Sequence, residues 1–180
     1  MPAPRRVVAA AALSLVLTLS TLGCGSGGPS GTGAVQTPRR ATHQLRLPSL
    51  QLLDVGSGRT VDLARYQPKG KPLLVWAWAP YCPYCRREAP AVESFARLHR
   101  DVLQIVGVGT QNTAAEAREF RRQTGIRSFP LLYEADGFQS WRPFGFVAQP
   151  AAALLASDGR LLRVWSGPFD EAEVLRLVAA

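Results

Sequence analysis

The chain has 180 residues, 47 % of them hydrophobic and 19 % charged, which suits one compact domain with appendages and excludes a largely disordered protein. Its net charge of +8 comes from 19 Arg and 2 Lys spread along the sequence. No nucleic-acid motif accompanies that charge, so nucleic acid is not an expected partner, whereas anionic lipid headgroups would attract such a chain.

Arg5 and Arg6 precede an uncharged run of Ala, Leu and Val at residues 7–22. Sixteen residues are short against the roughly 20 a spanning helix needs and fit the apolar core of a signal peptide, placed at residues 1–23. The run ends in Thr21-Leu22-Gly23-Cys24, which resembles a bacterial lipobox with Thr21 where Leu is usual. Cys24 is thus the expected lipidation site and mature N-terminus; ordinary cleavage beside a stray Cys, or an uncleaved anchor, are the alternatives. Residues 24–42, rich in Gly, Ser, Thr and Pro, read as a flexible tether, and the folded domain is placed at residues 43–180.

Within it, residues 50–54 and 59–63 flank Gly56-Ser57-Gly58 as two short strands around a turn. Residues 73–78, an unbroken apolar run between Pro72 and Pro80, predict a strand buried on both faces. A helix follows at residues 83–99: Ala89, Val92, Phe95, Ala96 and His99 share one stripe, with Pro90 expected to kink it. A second central strand is expected at 102–108 and a helix at 113–124. After them come a short strand at 131–133, a helical turn at 141–144, a hairpin from 151–156 and 160–165, and a closing helix at 170–180. Strands alternating with helices imply an α/β fold with a mixed central sheet flanked by helices and an N-terminal β extension.

Cys82-Pro83-Tyr84-Cys85 carries the chemistry, because it lies just after a buried strand and in the first turn of a helix. Unpaired helix N–H groups and the positive end of the macrodipole should stabilise a thiolate at Cys82, making it the attacking thiol. Cys85, one turn deeper, is placed to resolve a mixed disulfide on Cys82. Zinc needs about four ligands, yet apart from Cys24 only two Cys remain, and His43 and His99 lie far from the motif. Covalent haem attachment needs His after the second Cys, where Arg86 stands. A purely structural bridge would close too small a loop to matter. Redox exchange is the favoured chemistry, with no metal and no cofactor.

The segment from Trp78 to Pro90, with Ala79-Pro80-Tyr81 before the dithiol and Arg86-Arg87-Glu88-Ala89 after it, resembles the active-site region of the TlpA/ResA/DsbE-like branch of the thioredoxin superfamily. The resemblance continues through Phe144-Gly145-Phe146-Val147-Ala148-Gln149-Pro150, Asp158-Gly159 and Gly167-Pro168, covering roughly residues 43–180. It implies a thioredoxin-like fold, and a cis-proline at Pro150 that faces the dithiol and positions substrate, with Gln149 presenting backbone groups. Pro130 is a second candidate for that proline. Tyr81, Pro83 and Tyr84 are the expected rim of the substrate site.

Thioredoxin itself has a buried acid six residues before its first Cys; here Trp76 stands there and residues 73–78 contain no acid. Glu88 is either a substitute proton relay for Cys85 or a solvated first-turn acid complementing the helix dipole. Arg86 and Arg87 read as a solvated face, Trp76, Trp78 and Phe95 as core. Gly107-Val108-Gly109 is a weak echo of a dinucleotide loop, discounted because Asn112 replaces the third Gly. The expected function is an exported, lipid-anchored thiol:disulfide oxidoreductase at the outer face of a bacterial cytoplasmic membrane. Its partners would be exported protein thiols or disulfides and a membrane redox protein. The missing strand acid and an oxidising compartment favour an oxidant; the alternatives are a reductase serving cytochrome c maturation and, from another class, a non-catalytic copper-binding lipoprotein.

Overall fold

The computed structural model describes residues 44–135 and 137–180. The expected signal peptide, the expected lipidation site Cys24 and the expected tether fall outside the described residues.

Seven strands form one mixed sheet in the order β2-β1-β5-β4-β3-β6-β7. They are β1 (Gln51–Asp54), β2 (Thr60–Asp62), β3 (Leu73–Trp78), β4 (Gln104–Thr110), β5 (Leu131–Glu134), β6 (Ala151–Leu155) and β7 (Leu161–Ser166). The helices are α1 (Pro83–Leu98), α2 (Ala114–Thr124) and α3 (Glu171–Val178), with 3-10 turns at Leu63–Tyr66 and Arg142–Phe144. Strands β3, β4 and β5 are parallel, while β1 runs antiparallel to β5, β6 to β3 and β7 to β6. The arrangement is a thioredoxin-like α/β fold in which β1 and β2 form the N-terminal β extension.

All six residues of β3 are buried, as its position between β4 and β6 requires. Alternation sends Leu74, Trp76 and Trp78 to one face and Leu73, Val75 and Ala77 to the other. The buried residues of all three helices join the first of these faces, Ala89, Val92 and Phe95 from α1, Ala117 and Phe120 from α2 and Val174 from α3. The opposite face is covered instead by Leu47, Leu63 and the segment holding Trp141, Phe144 and Phe146, with Trp141 Nε1 donating to the Val108 carbonyl at 2.9 Å. Each large apolar side chain fully buried here contributes about 1.5–3 kcal/mol.

Several expected boundaries move by one or two residues. Strand β4 begins at Gln104, leaving Val102 exposed in the turn after α1, and runs on to Thr110. Helix α1 passes through Pro90 without interruption and ends at Leu98, with His99 as its C-cap. Gly107 and Gly109 lie within β4, opposite Trp76 and Trp78 in register. A Cβ at Gly109 would overlap the Trp78 indole, which stacks on Phe120 with centroids 4.6 Å apart. Gly109 therefore makes room for the Trp78 indole, and Gly107 for the Leu131 side chain, which a Cβ there would meet at 2.5 Å. Gly109→Ala should destabilise the fold by about 1–3 kcal/mol through overpacking, read as a lower denaturant midpoint at unchanged slope.

Candidate active site

The topology gathers the site. The carboxyl ends of β3 and β4, the start of β6 and the end of β7 lie at one edge of the sheet, since Ala151 pairs with both Ala77 and Ser166. Cys82 follows β3, Gln111 follows β4, Pro150 precedes β6 and Gly167 follows β7. Open α/β sheets bind ligands at this edge, because loops there can approach a ligand while the strands hold them rigid.

Cys82 is the N-cap of α1 and Pro83 its first residue, where the absent N–H costs nothing. The two sulfurs form a disulfide with Cα atoms 5.3 Å apart. The Cys85 N–H donates to Cys82 Sγ at 3.0 Å, and such a contact stabilises negative charge on that sulfur once the bridge opens. Cys82 and Cys85 are 2 % and 0 % exposed, so burial hardly separates them; the cap position does. Above them the rim is open, with Tyr81 49 % and Tyr84 61 % exposed and Pro83 exposed beside them.

The Gln149–Pro150 bond is cis, and among the described residues no other peptide is, Phe129–Pro130 included. Pro150 and Gln149 border a cleft of about 490 Å³ between Tyr84, Arg87 and Glu88 of α1 and Ser166, Gly167 and Pro168 at the end of β7. The cleft is predominantly apolar. An extended peptide bringing a sulfur to Cys82 would have this cleft beside it.

Glu88 is not the solvated acid that its place in the first turns of a helix suggests. It is half-buried, accepting from Trp76 Nε1 at 2.6 Å and from the Phe169 N–H at 3.0 Å. Burial pushes its carboxyl above the ordinary range, and the two hydrogen bonds partly oppose that rise. Trp76, at the position where thioredoxin has its acid, thus holds an acid supplied by the helix. Arg86 is not simply solvated either. Its guanidinium donates to the Pro80 carbonyl at 2.6 Å and to Gln123 Oε1, and lies 5.6 Å from the Phe120 ring centroid, tying the loop before Cys82 to α2. Arg87 stays exposed, stacked over the Tyr84 ring at 4.4 Å. Sequence reading missed Gln111, whose Oε1 accepts from the Tyr81 hydroxyl at 3.0 Å.

With this geometry in view, the comparisons agree with one another. The family described as Redoxin matches residues 43–177. The soluble secreted antigen MPT53 of Mycobacterium tuberculosis is 32 % identical over 129 residues, spanning 71 % of this chain and 69 % of that protein. The structure of MTB dsbF, in mixed oxidised and reduced forms, superposes with a TM-score of 0.62 at 31 % identity, covering 76 % of this chain and 95 % of that one. A secreted Mycobacterium tuberculosis disulfide oxidoreductase homologous to E. coli DsbE gives 0.61 at 28 %, covering 74 % and 96 %. This chain belongs to the Redoxin family and is a DsbE-like thiol:disulfide oxidoreductase of the thioredoxin superfamily.

Proposed function

We propose that the protein is exported, anchored by a lipid on Cys24 at the outer face of a bacterial cytoplasmic membrane, and oxidises thiols of exported proteins. The observation that carries the direction is Cys82 at the helix cap, its sulfur held by the Cys85 N–H, after a strand with no acid. Stabilising the Cys82 thiolate favours the reduced enzyme, and a favoured reduced form makes the couple oxidising.

In the forward step a substrate thiolate attacks Cys82 Sγ, the Cys82–Cys85 bond breaks, and Cys85 leaves as a thiolate that takes up a proton. A second substrate thiolate then attacks the mixed disulfide and releases the Cys82 thiolate. The substrate loses two electrons and two protons, which a membrane redox partner removes from the enzyme when it re-forms the bridge. Pro150 and the backbone of Gln149 position the substrate chain, with Tyr81, Pro83 and Tyr84 as the rim it crosses.

A second reading, reduction in the service of cytochrome c maturation, is favoured by Glu88. Held by Trp76 beside the turn that carries Cys85, its carboxylate is a proton acceptor that β3 itself does not provide. The two directions separate in a turnover assay. An oxidant forms disulfides stoichiometrically in a reduced, unfolded protein and reduces insulin sluggishly; rapid insulin reduction without oxidation of the first substrate would reverse the assignment. The anchor is tested in the native host by mass spectrometry, where a mature chain starting at diacylglyceryl-modified Cys24 is expected and an unmodified start elsewhere would refute it.

A further inference from the structure

Three loops at the dithiol end of the sheet meet at one hydroxyl. Gln149 Nε2 donates to Tyr81 Oη at 2.6 Å, and that hydroxyl donates to Gln111 Oε1 at 3.0 Å. Tyr81 directly precedes Cys82, Gln149 directly precedes the cis-proline, and Gln111 directly follows β4. A phenol has one proton to give and lone pairs to accept with, so both bonds can form at once and each polarises the other.

The backbone around Gln111 is unusual in a way that bears on this contact. Gln111 and Asn112, with φ of 71° and 63°, are the only non-glycine residues at positive φ among those described. They are held there from below. The Asn112 carbonyl accepts from the hydroxyl of Tyr133, a buried residue of β5, at 2.7 Å, and Asn112 Nδ2 donates to Glu116 at 3.1 Å. Thr113 and Glu116 then close the capping box of α2. A disfavoured conformation kept in place by this many contacts, at the edge of the dithiol, signals a geometric task. The segment it reaches across to has little support of its own: Val147 is 90 % exposed, and among the described residues no other hydrogen bond holds 147–149.

We propose that Tyr81, Gln111 and Gln149 form a clasp that fixes the cis-proline loop relative to Cys82, so that the backbone receiving the substrate strand stays in register with the reacting sulfur. Tyr81 and Gln111 act here as positioning residues through Gln149. The clasp rests on the disulfide-exchange reading for its purpose, though its mechanical part does not depend on it.

The test uses the full chain with Tyr81→Phe, which removes only the hydroxyl, Gln111→Ala, and the two combined. Backbone order parameters at residues 147–149 should fall in each variant, and fall no further in the double one. KM for a reduced, unfolded protein should rise about three- to tenfold, the size of one hydrogen bond's net contribution, with the reduction potential unmoved. Losses that multiply in the double variant would show that the two residues act separately and overturn the clasp. Unchanged order parameters would overturn it as well, and a loosened loop with unchanged KM would remove its role in positioning substrate. If the wild-type chain exchanged disulfides with no protein at all, the proposed function would fall while the order parameters still decided the clasp.

Discussion

Cys85→Ala should convert the protein from a catalyst into a trap. With Cys82 intact, attack on a substrate disulfide still gives a mixed disulfide, but the thiol that resolves it is gone. That thiol, three residues along α1, acts at the high effective concentration of an intramolecular partner, far above a millimolar external thiol. Turnover should therefore fall on the order of 10³-fold or more while a mixed disulfide accumulates, visible on non-reducing gels and identified by mass. Cys82→Ala should lose turnover equally and trap nothing. Trapping by Cys82→Ala would show that the roles of the two sulfurs are reversed, and full turnover by Cys85→Ala would show that Cys85 is not the resolving thiol.

Glu88→Gln should slow the step in which Cys85 attacks a mixed disulfide by about 10²-fold near neutral pH, the lower end of what a positioned base supplies. The sign follows from the environment. Burial raises the Glu88 carboxyl above its ordinary range, against the lowering pull of Trp76 Nε1 and the Phe169 N–H. The wild-type rate of that step should rise as pH climbs through this raised value and fall below it, and Gln, which does not titrate, should flatten that limb. The same shift affects stability. A raised folded value favours the protonated carboxyl, so its stabilising effect is complete below the unfolded value and is lost as pH rises through the folded one. A Gln oxygen can accept from Trp76 or from Phe169 but not through two equivalent atoms, so a structural loss would lower the rate at all pH values. The pH profile of single-turnover release separates the two, and an unchanged profile in Glu88→Gln would remove Glu88 from the proton path.

The dithiol was legible because its signals are local: an apolar run between prolines for β3, then C-x-x-C with Pro83 at the first helical position. The terminal hairpin and α3 were legible for the same reason, through Asp158-Gly159 and the capping Asp170. What the sequence concealed depends on contacts between distant segments. Glu88 meets Trp76 across 12 positions and Phe169 across 81, and only the packing of α1 on β3 turns a first-turn acid into a buried one. Gln111 reaches Tyr81 across 30 positions through a backbone conformation that no glutamine advertises. The strand expected at 102–108 stops short of Gly109, and only the packing of the Trp78 indole and the Leu131 side chain against β4 shows why glycine stands at 107 and 109. The gathering of all three helices on one face is likewise invisible in periodicity, which gives each helix an apolar stripe without saying which face of the sheet it meets.

The reduction potential of the Cys82–Cys85 couple bears most directly on the direction of exchange. Equilibrating the wild-type chain with defined ratios of reduced and oxidised glutathione, and reading the fraction reduced from alkylated mass, gives it without a substrate. A thiolate stabilised at the cap of α1, after a strand with Trp76 in place of an acid, should put the potential clearly above thioredoxin's, about −270 mV. A potential at or below that of thioredoxin would contradict the oxidant assignment and make the protein a reductase.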